Sequence, residues 1–236
     1  MFTEQKILDQ LNIQNNSELC RILNDNLPNT NIAINFDQSH NYYRISGTFC
    51  IDLEFWKLKN TIPVKSKNTK GNKNEIKRRK DELIKARNFE IYKDLCHRGH
   101  LIAKQFEPYI EFYDFNFSKN NPDNIYLQWI NANLNNLNHS GILGQAYFEE
   151  KVLNWLERGE EVLYKVVPIF EEDTKDYPIG NVIIAFKCRN KEEIQNMEDS
   201  IERFINYDFD EEDTNKFCVF IPNYLDTDVV VVKKKK

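Results

Sequence analysis

HRGHLIAKQF, residues 97–106, is the stretch on which the reading of this chain turns. Polar residues crowd around Gly99, and the chain then runs directly into Leu101-Ile102-Ala103. A glycine between Arg98 and His100 lets the backbone pass tightly. A histidine at the end of a strand beside such a passage can project into a cleft. Its ordinary pKa of about 6.5 makes it a usable base near neutrality. Taken alone, a histidine beside an apolar run is more often structural than catalytic.

Working downstream, NIYLQWI at 124–130 has little polar interruption and predicts a buried strand. Residues 131–141 are rich in Asn and predict a short helix or loop. Asn124, Asn131, Asn133 and Glu149 each offer a side-chain oxygen. Residues 145–158 predict a helix: Gln145 opens it, Tyr147, Phe148, Val152, Trp155 and Leu156 line one face, and Gly159 stops it. Strands are predicted at 161–170, 181–187, 217–222 and 228–232, with a short helix and loop in the acidic stretch 191–213.

Working upstream, residues 75–90 predict a strongly charged helix, with Leu83, Ile84 and Ala86 as its apolar members, and 59–74 a basic loop. Aromatic and β-branched residues at 41–56 predict two strands joined by a tight turn at Ser46-Gly47. Residues 3–26 predict a helix, broken or recapped at Asn15-Asn16-Ser17, and 28–40 a connection. The expected fold is α+β: a central antiparallel sheet flanked by helices over residues 41–236, with an N-terminal helical extension over 1–40.

A chain of 236 residues can bury a core without metal or disulfide staples. With 41% apolar and 13% aromatic residues it is not broadly disordered. The net charge is -5, but its distribution matters more. Between Lys57 and Lys104 fifteen Lys/Arg stand against five Asp/Glu. Between Lys191 and Lys216 ten acids stand against three bases. One basic surface could meet a polyanion while the whole molecule stays acidic. The run Lys77-Arg78-Arg79-Lys80 fits such a contact and fits a solvated helix face equally well. Five scattered cysteines without a CxxC predict free thiols in a reducing compartment. The start MFTEQKILDQLNIQ lacks a secretory signal, and no apolar run reaches the length of a membrane span. A cytoplasmic location is expected, or leaderless export as an effector.

Four ordered blocks add to this reading. HRGHLIAKQF resembles the DRGHLIA-type signature of the DNA/RNA non-specific endonuclease family, also called His-Me finger or ββα-metal nucleases. NIYLQWINAN at 124–133 resembles the family's NxxxQxxxxN block, GQAYFEE at 144–150 its GQxYYE block, and KFCVFIPN at 216–223 its FNVxVPN strand. The blocks resemble those of the DNA-entry nucleases and streptococcal-type DNases within that family and span about residues 88–225.

The resemblance implies an Mg2+-dependent endonuclease, Mn2+ substituting, that cuts DNA, and RNA as a further candidate substrate, leaving 5′-phosphates. It implies a ββα-metal active-site motif with His100 as general base and Asn133 as metal ligand. Asn124 would help position the histidine, and Glu149 would reach the ion's water shell. Arg98 would contact phosphate or brace the turn. No membrane partner is expected. A nuclease made without a signal peptide would need an inhibitor protein, leaderless export or a restricted substrate.

One position departs from the pattern. His97 stands where the family places Asp, or sometimes Asn. A neutral imidazole replaces only one of the hydrogen bonds that an acid could accept, and a protonated one would repel Arg98. The alternative reading is therefore a catalytically impaired homologue that binds nucleic acid or protein. Cys96, His97 and His100 also form C-H-x-x-H, which would be half of a zinc site if further soft ligands converged on it.

Overall fold

The computed structural model describes residues 33–37, 42–50, 56–59, 73–87, 95–110, 116–134, 143–170, 177–188, 204–207 and 215–223. Nine strands and three α-helices lie within them: β1 Ala33–Asp37, β2 Tyr42–Cys50, β3 Trp56–Leu58, α1 Lys73–Arg87, β4 Cys96–His100, β5 Ile125–Trp129, α2 Ile130–Asn133, α3 Gln145–Glu157, β6 Glu161–Ile169, β7 Gly180–Cys188, β8 Phe204–Tyr207 and β9 Lys216–Pro222. A 3-10 helix at Lys104–Tyr109 follows β4. The expected α+β class with a large antiparallel sheet is borne out.

The main sheet has seven strands in the order β1-β2-β9-β7-β6-β3, with β8 pairing β2 off that path. NVIIAF within β7 explains its central place: almost every residue of the strand is buried, so both faces must be covered. β6 and β7 pair along their full length, from Glu161↔Cys188 to Ile169↔Gly180. One sheet face carries Val162, Tyr164 and Val166 of β6, Ile183 and Ala185 of β7, and Val219 and Ile221 of β9. Helix α3 lies over it with Phe148, Val152 and Leu156, one stripe at four-residue spacing. Each such buried side chain contributes about 1.5–3 kcal/mol. Gly159, at φ 83, ends the helix as expected. Its N–H donates to the Leu156 carbonyl and that of Glu160 to the Trp155 carbonyl, the paired bonds of a Schellman motif.

Three expectations are corrected. No turn forms at Ser46-Gly47, because β2 runs through it. Gly47 instead marks a change of partner: Tyr43 and Arg44 pair with β9, whereas Gly47 to Cys50 pair with β8. β8 itself falls in the acidic stretch expected as helix and loop. Strand β1 falls within the stretch 1–40 and pairs fully with β2, so residues 33–37 belong to the sheet. The helix expected at 3–26 and the strand at 228–232 lie outside the described residues. Among the described residues no helix is long and apolar enough to cross a membrane.

Candidate active site

Strands β4 and β5 form a separate two-stranded sheet, and α2 continues directly from β5. This is a ββα unit. Its antiparallel register pairs His100 with Ile125, Gly99 with Tyr126, Arg98 with Leu127 and His97 with Gln128. Alternation puts Arg98 and His100 on one face of β4 and His97 and Gly99 on the other.

His100 closes β4, half-buried, with Nε2 3.3 Å from the Phe117 carbonyl oxygen. Burial lowers its pKa from the usual histidine value, the Phe117 contact opposes that shift, and Lys104 adds to it. Two residues back, Arg98 Nη1 donates to Asn120 Oδ1 at 2.8 Å. The same loop therefore holds both side chains. Asn116, Ser118 and Asn121 shape that loop with local side-chain-to-backbone bonds, which suits its Asn-rich composition.

Asn124, fully buried, fixes the chain just beyond His100. Its Oδ1 accepts from Ile102 N at 2.8 Å, and its Nδ2 donates to Ile102 O at 3.1 Å. Its own carbonyl accepts from Leu101 N at 2.9 Å. These bonds reach the backbone that follows His100.

Asn133 ends α2. Its Nδ2 lies 3.3 Å from His97 Nδ1. Its Oδ1 lies 3.0 Å from the point where a side chain would leave Gly99. Gln128 Oε1 comes within 1.8 Å of the same point and has no hydrogen-bond partner. Only a glycine leaves room for both amides.

Glu149 is half-buried on α3 and accepts a hydrogen bond from Gln145 Nε2 at 2.8 Å. Burial pushes its carboxyl up to about 7, against that bond. Gln145 is a junction that the sequence reading treated only as the start of a helix. Its Nε2 also donates to the His100 carbonyl. Its Oε1 accepts from Gln128 Nε2 at 2.8 Å and from Asn181 Nδ2 at 3.0 Å. One amide thus joins β4, β5, β7 and α3. Asn223 was missed as well: Trp129 N donates to its Oδ1 at 2.8 Å, and its Nδ2 donates to the carbonyls of Leu127 at 2.9 Å and Pro178 at 2.8 Å. The signal for both lay in the blocks GQAYFEE and KFCVFIPN, whose polar residues interrupt otherwise apolar segments.

The basic run of α1 is divided: Lys77 and Arg78 are exposed, whereas Arg79 and Lys80 are half-buried. Arg78 pairs with Glu75 at 2.8 Å and with Glu82, and Arg79 pairs with Glu75 at 3.0 Å. Those two guanidinium groups hold the Glu75 carboxyl down to about 2. Arg79 Nη1 also donates to Pro122 O at 3.2 Å, and Lys80 Nζ to Cys96 O at 3.1 Å. Ile76 and Ile84 anchor the helix on its buried side.

The zinc reading does not hold. Cys96 packs with Leu127, Trp129 and Tyr177 in a small apolar cluster, and burial pushes its thiol up to about 11. Among the described residues no group of three or more His, Cys, Asp or Glu could hold a metal ion. An ion here would need amide oxygens in its ligand set.

The model of the DNA/RNA non-specific endonuclease family matches residues 24–209. No curated protein matches the chain. Among solved structures, NucA from Streptococcus agalactiae with magnesium ion bound is similar at 16% identity and a TM-score of 0.50, over 89% of this chain and 92% of that one. NucA from the same organism with no metal bound gives 18% identity and a TM-score of 0.43, over 91% of this chain and 78% of that one. At such identity the first likeness speaks to the fold alone, and the second adds nothing to it. The family match runs from before β1 through β8 and takes in the whole ββα unit with α3. The chain belongs to the DNA/RNA non-specific endonuclease family and is a nuclease, a metal-dependent phosphodiesterase.

Proposed function

We propose that this nuclease is an Mg2+-dependent endonuclease that hydrolyses DNA with little sequence preference, RNA being the second substrate to test. The observation that carries the reading is the hold on His100. A carbonyl oxygen can only accept, so a hydrogen bond to Phe117 requires the ring proton on Nε2. The neutral ring then keeps its lone pair on Nδ1, and burial favours that neutral form. Nδ1 takes a proton from water, the water oxygen bonds to phosphorus, and the bond to the 3′ oxygen breaks. The 3′ oxygen takes a proton from solvent, and the other end keeps a 5′-phosphate.

Asn133, through Oδ1, and Glu149 would hold the cation. The donors are all oxygen, which suits hard Mg2+, and Mn2+ accepts the same set. When bound, the ion would neutralise phosphate charge and stabilise the departing oxygen. Arg98, braced on Asn120, would meet a phosphate on the His100 face. Asn124 keeps the chain after His100 from shifting. Contacts to phosphate carry no base information, which accounts for weak sequence preference.

Supercoiled plasmid incubated with Mg2+, with and without EDTA, tests this. Cleavage should require the free ion, and His100→Ala should cut about a hundred- to ten-thousand-fold more slowly. Plasmid that survives with Mg2+ across neutral pH, or a His100→Ala variant as fast as the parent, would sink the assignment.

A further inference from the structure

The amide of a metal-ligating asparagine has two ends of similar shape, and only its oxygen can bind a cation. Something must choose which end faces the ion. Asn133 Nδ2 lies 3.3 Å from His97 Nδ1, while Asn133 Oδ1 stands beside Gly99. His97 and Gly99 share the face of β4 that meets the end of α2. We propose that His97 is a positioning residue: its Nδ1 lone pair accepts from Asn133 Nδ2 and so fixes Asn133 Oδ1 toward the cation. The proposal rests on the reading of Asn133 as the metal ligand.

The departure at position 97 then has a physical account. What the position must supply is one acceptor aimed at the Asn133 amide. A carboxylate does this with either oxygen, and an imidazole does it with Nδ1 when Nε2 carries the proton. The exchange keeps the acceptor while changing the charge. Partners that orient a metal ligand are commonly worth about ten- to a hundredfold in metal affinity.

The test measures metal affinity directly. Mn2+ binding to the full chain is followed by isothermal titration calorimetry, beside the Mg2+ concentration that half-saturates plasmid cleavage. His97→Leu removes the acceptor, and His97→Lys offers donors only, so one remains informative if the other fails to fold by circular dichroism. Each folded variant should bind Mn2+ and half-saturate with Mg2+ about ten- to a hundredfold more weakly, with kcat at saturating Mg2+ close to the parent. His97→Asp and His97→Asn, which keep an acceptor, should restore parental affinity. Parental affinity in the Leu or Lys variant overturns the role of His97. So does an equal loss in all four variants, which would mark a merely structural residue. The underlying reading fails separately: Asn133→Ala would then bind Mn2+ as tightly as the parent does.

Discussion

At the scale of single residues, the site is governed by groups with no freedom to choose another partner. Gly99 is the sharpest case. A Cβ there would sit 1.8 Å from Gln128 Oε1 and 3.0 Å from Asn133 Oδ1. Gln128 cannot swing away without giving up its bond to Gln145. Gly99→Ala should therefore cost about 1–3 kcal/mol of stability through a broken buried amide contact. It should lower kcat/KM by more than that loss of folded protein explains, since both amides beside Gly99, the proposed metal ligand Asn133 among them, must shift. Urea unfolding paired with plasmid kinetics reads both, and parental kinetics in the folded variant would refute it. His100 leads to a second expectation. The base must be neutral to work, and burial lowers its pKa. With Mg2+ saturating, so that the cation keeps Glu149 ionised, activity should thus be retained through pH of about 6.5 and lost as pH falls below that ordinary histidine value. A kcat/KM profile at saturating Mg2+ whose acid limb lies above neutrality would contradict this.

At the scale of elements, legibility followed the strength of the local pattern. α3 could be read from its stripe and its terminal glycine, because both signals are local and both serve the same packing. β7 could be read from an unbroken apolar run. The Ser46-Gly47 turn could not be ruled out, since a glycine in a strand looks the same whether the chain reverses or changes neighbour. β8 was hidden because its pairing with β2 is remote in sequence. The same distinction runs through the site. His100, Asn124 and Asn133 were found through motif blocks, not through periodicity. The bonds of Gln145 to three other elements depend on long-range assembly that no window of sequence contains. The basic run of α1 is ambiguous in sequence because nothing local tells which of its cations turn to the protein; Arg79 and Lys80 reach the Pro122 and Cys96 carbonyls, while Lys77 and Arg78 stay exposed.

At the scale of the whole molecule, two sheets must be held in register for the ββα unit to face α3. Asn223, just past the end of β9, does much of this with bonds to Leu127, Trp129 and the Pro178 carbonyl. Asn223→Ala should cost about 1–3 kcal/mol, because its buried bonds to the Trp129 N–H and to the Leu127 and Pro178 carbonyls are lost together. Hydrogen exchange should quicken selectively in β4 and β5 while β6 and β7 stay protected. Uniform quickening across both sheets would show that the hairpin does not open as a unit. The pairing of Arg78 and Arg79 with acids of their own helix bears on how a nucleic acid meets this surface. Guanidinium groups already paired with Glu75 and Glu82 displace few ions from a phosphate chain that draws near. The entropy that released ions usually lend to such an encounter is correspondingly small on that flank. A polyanion should therefore be guided less by the richest run of positive charge in the sequence than by the narrower ground around Arg98 and Lys104.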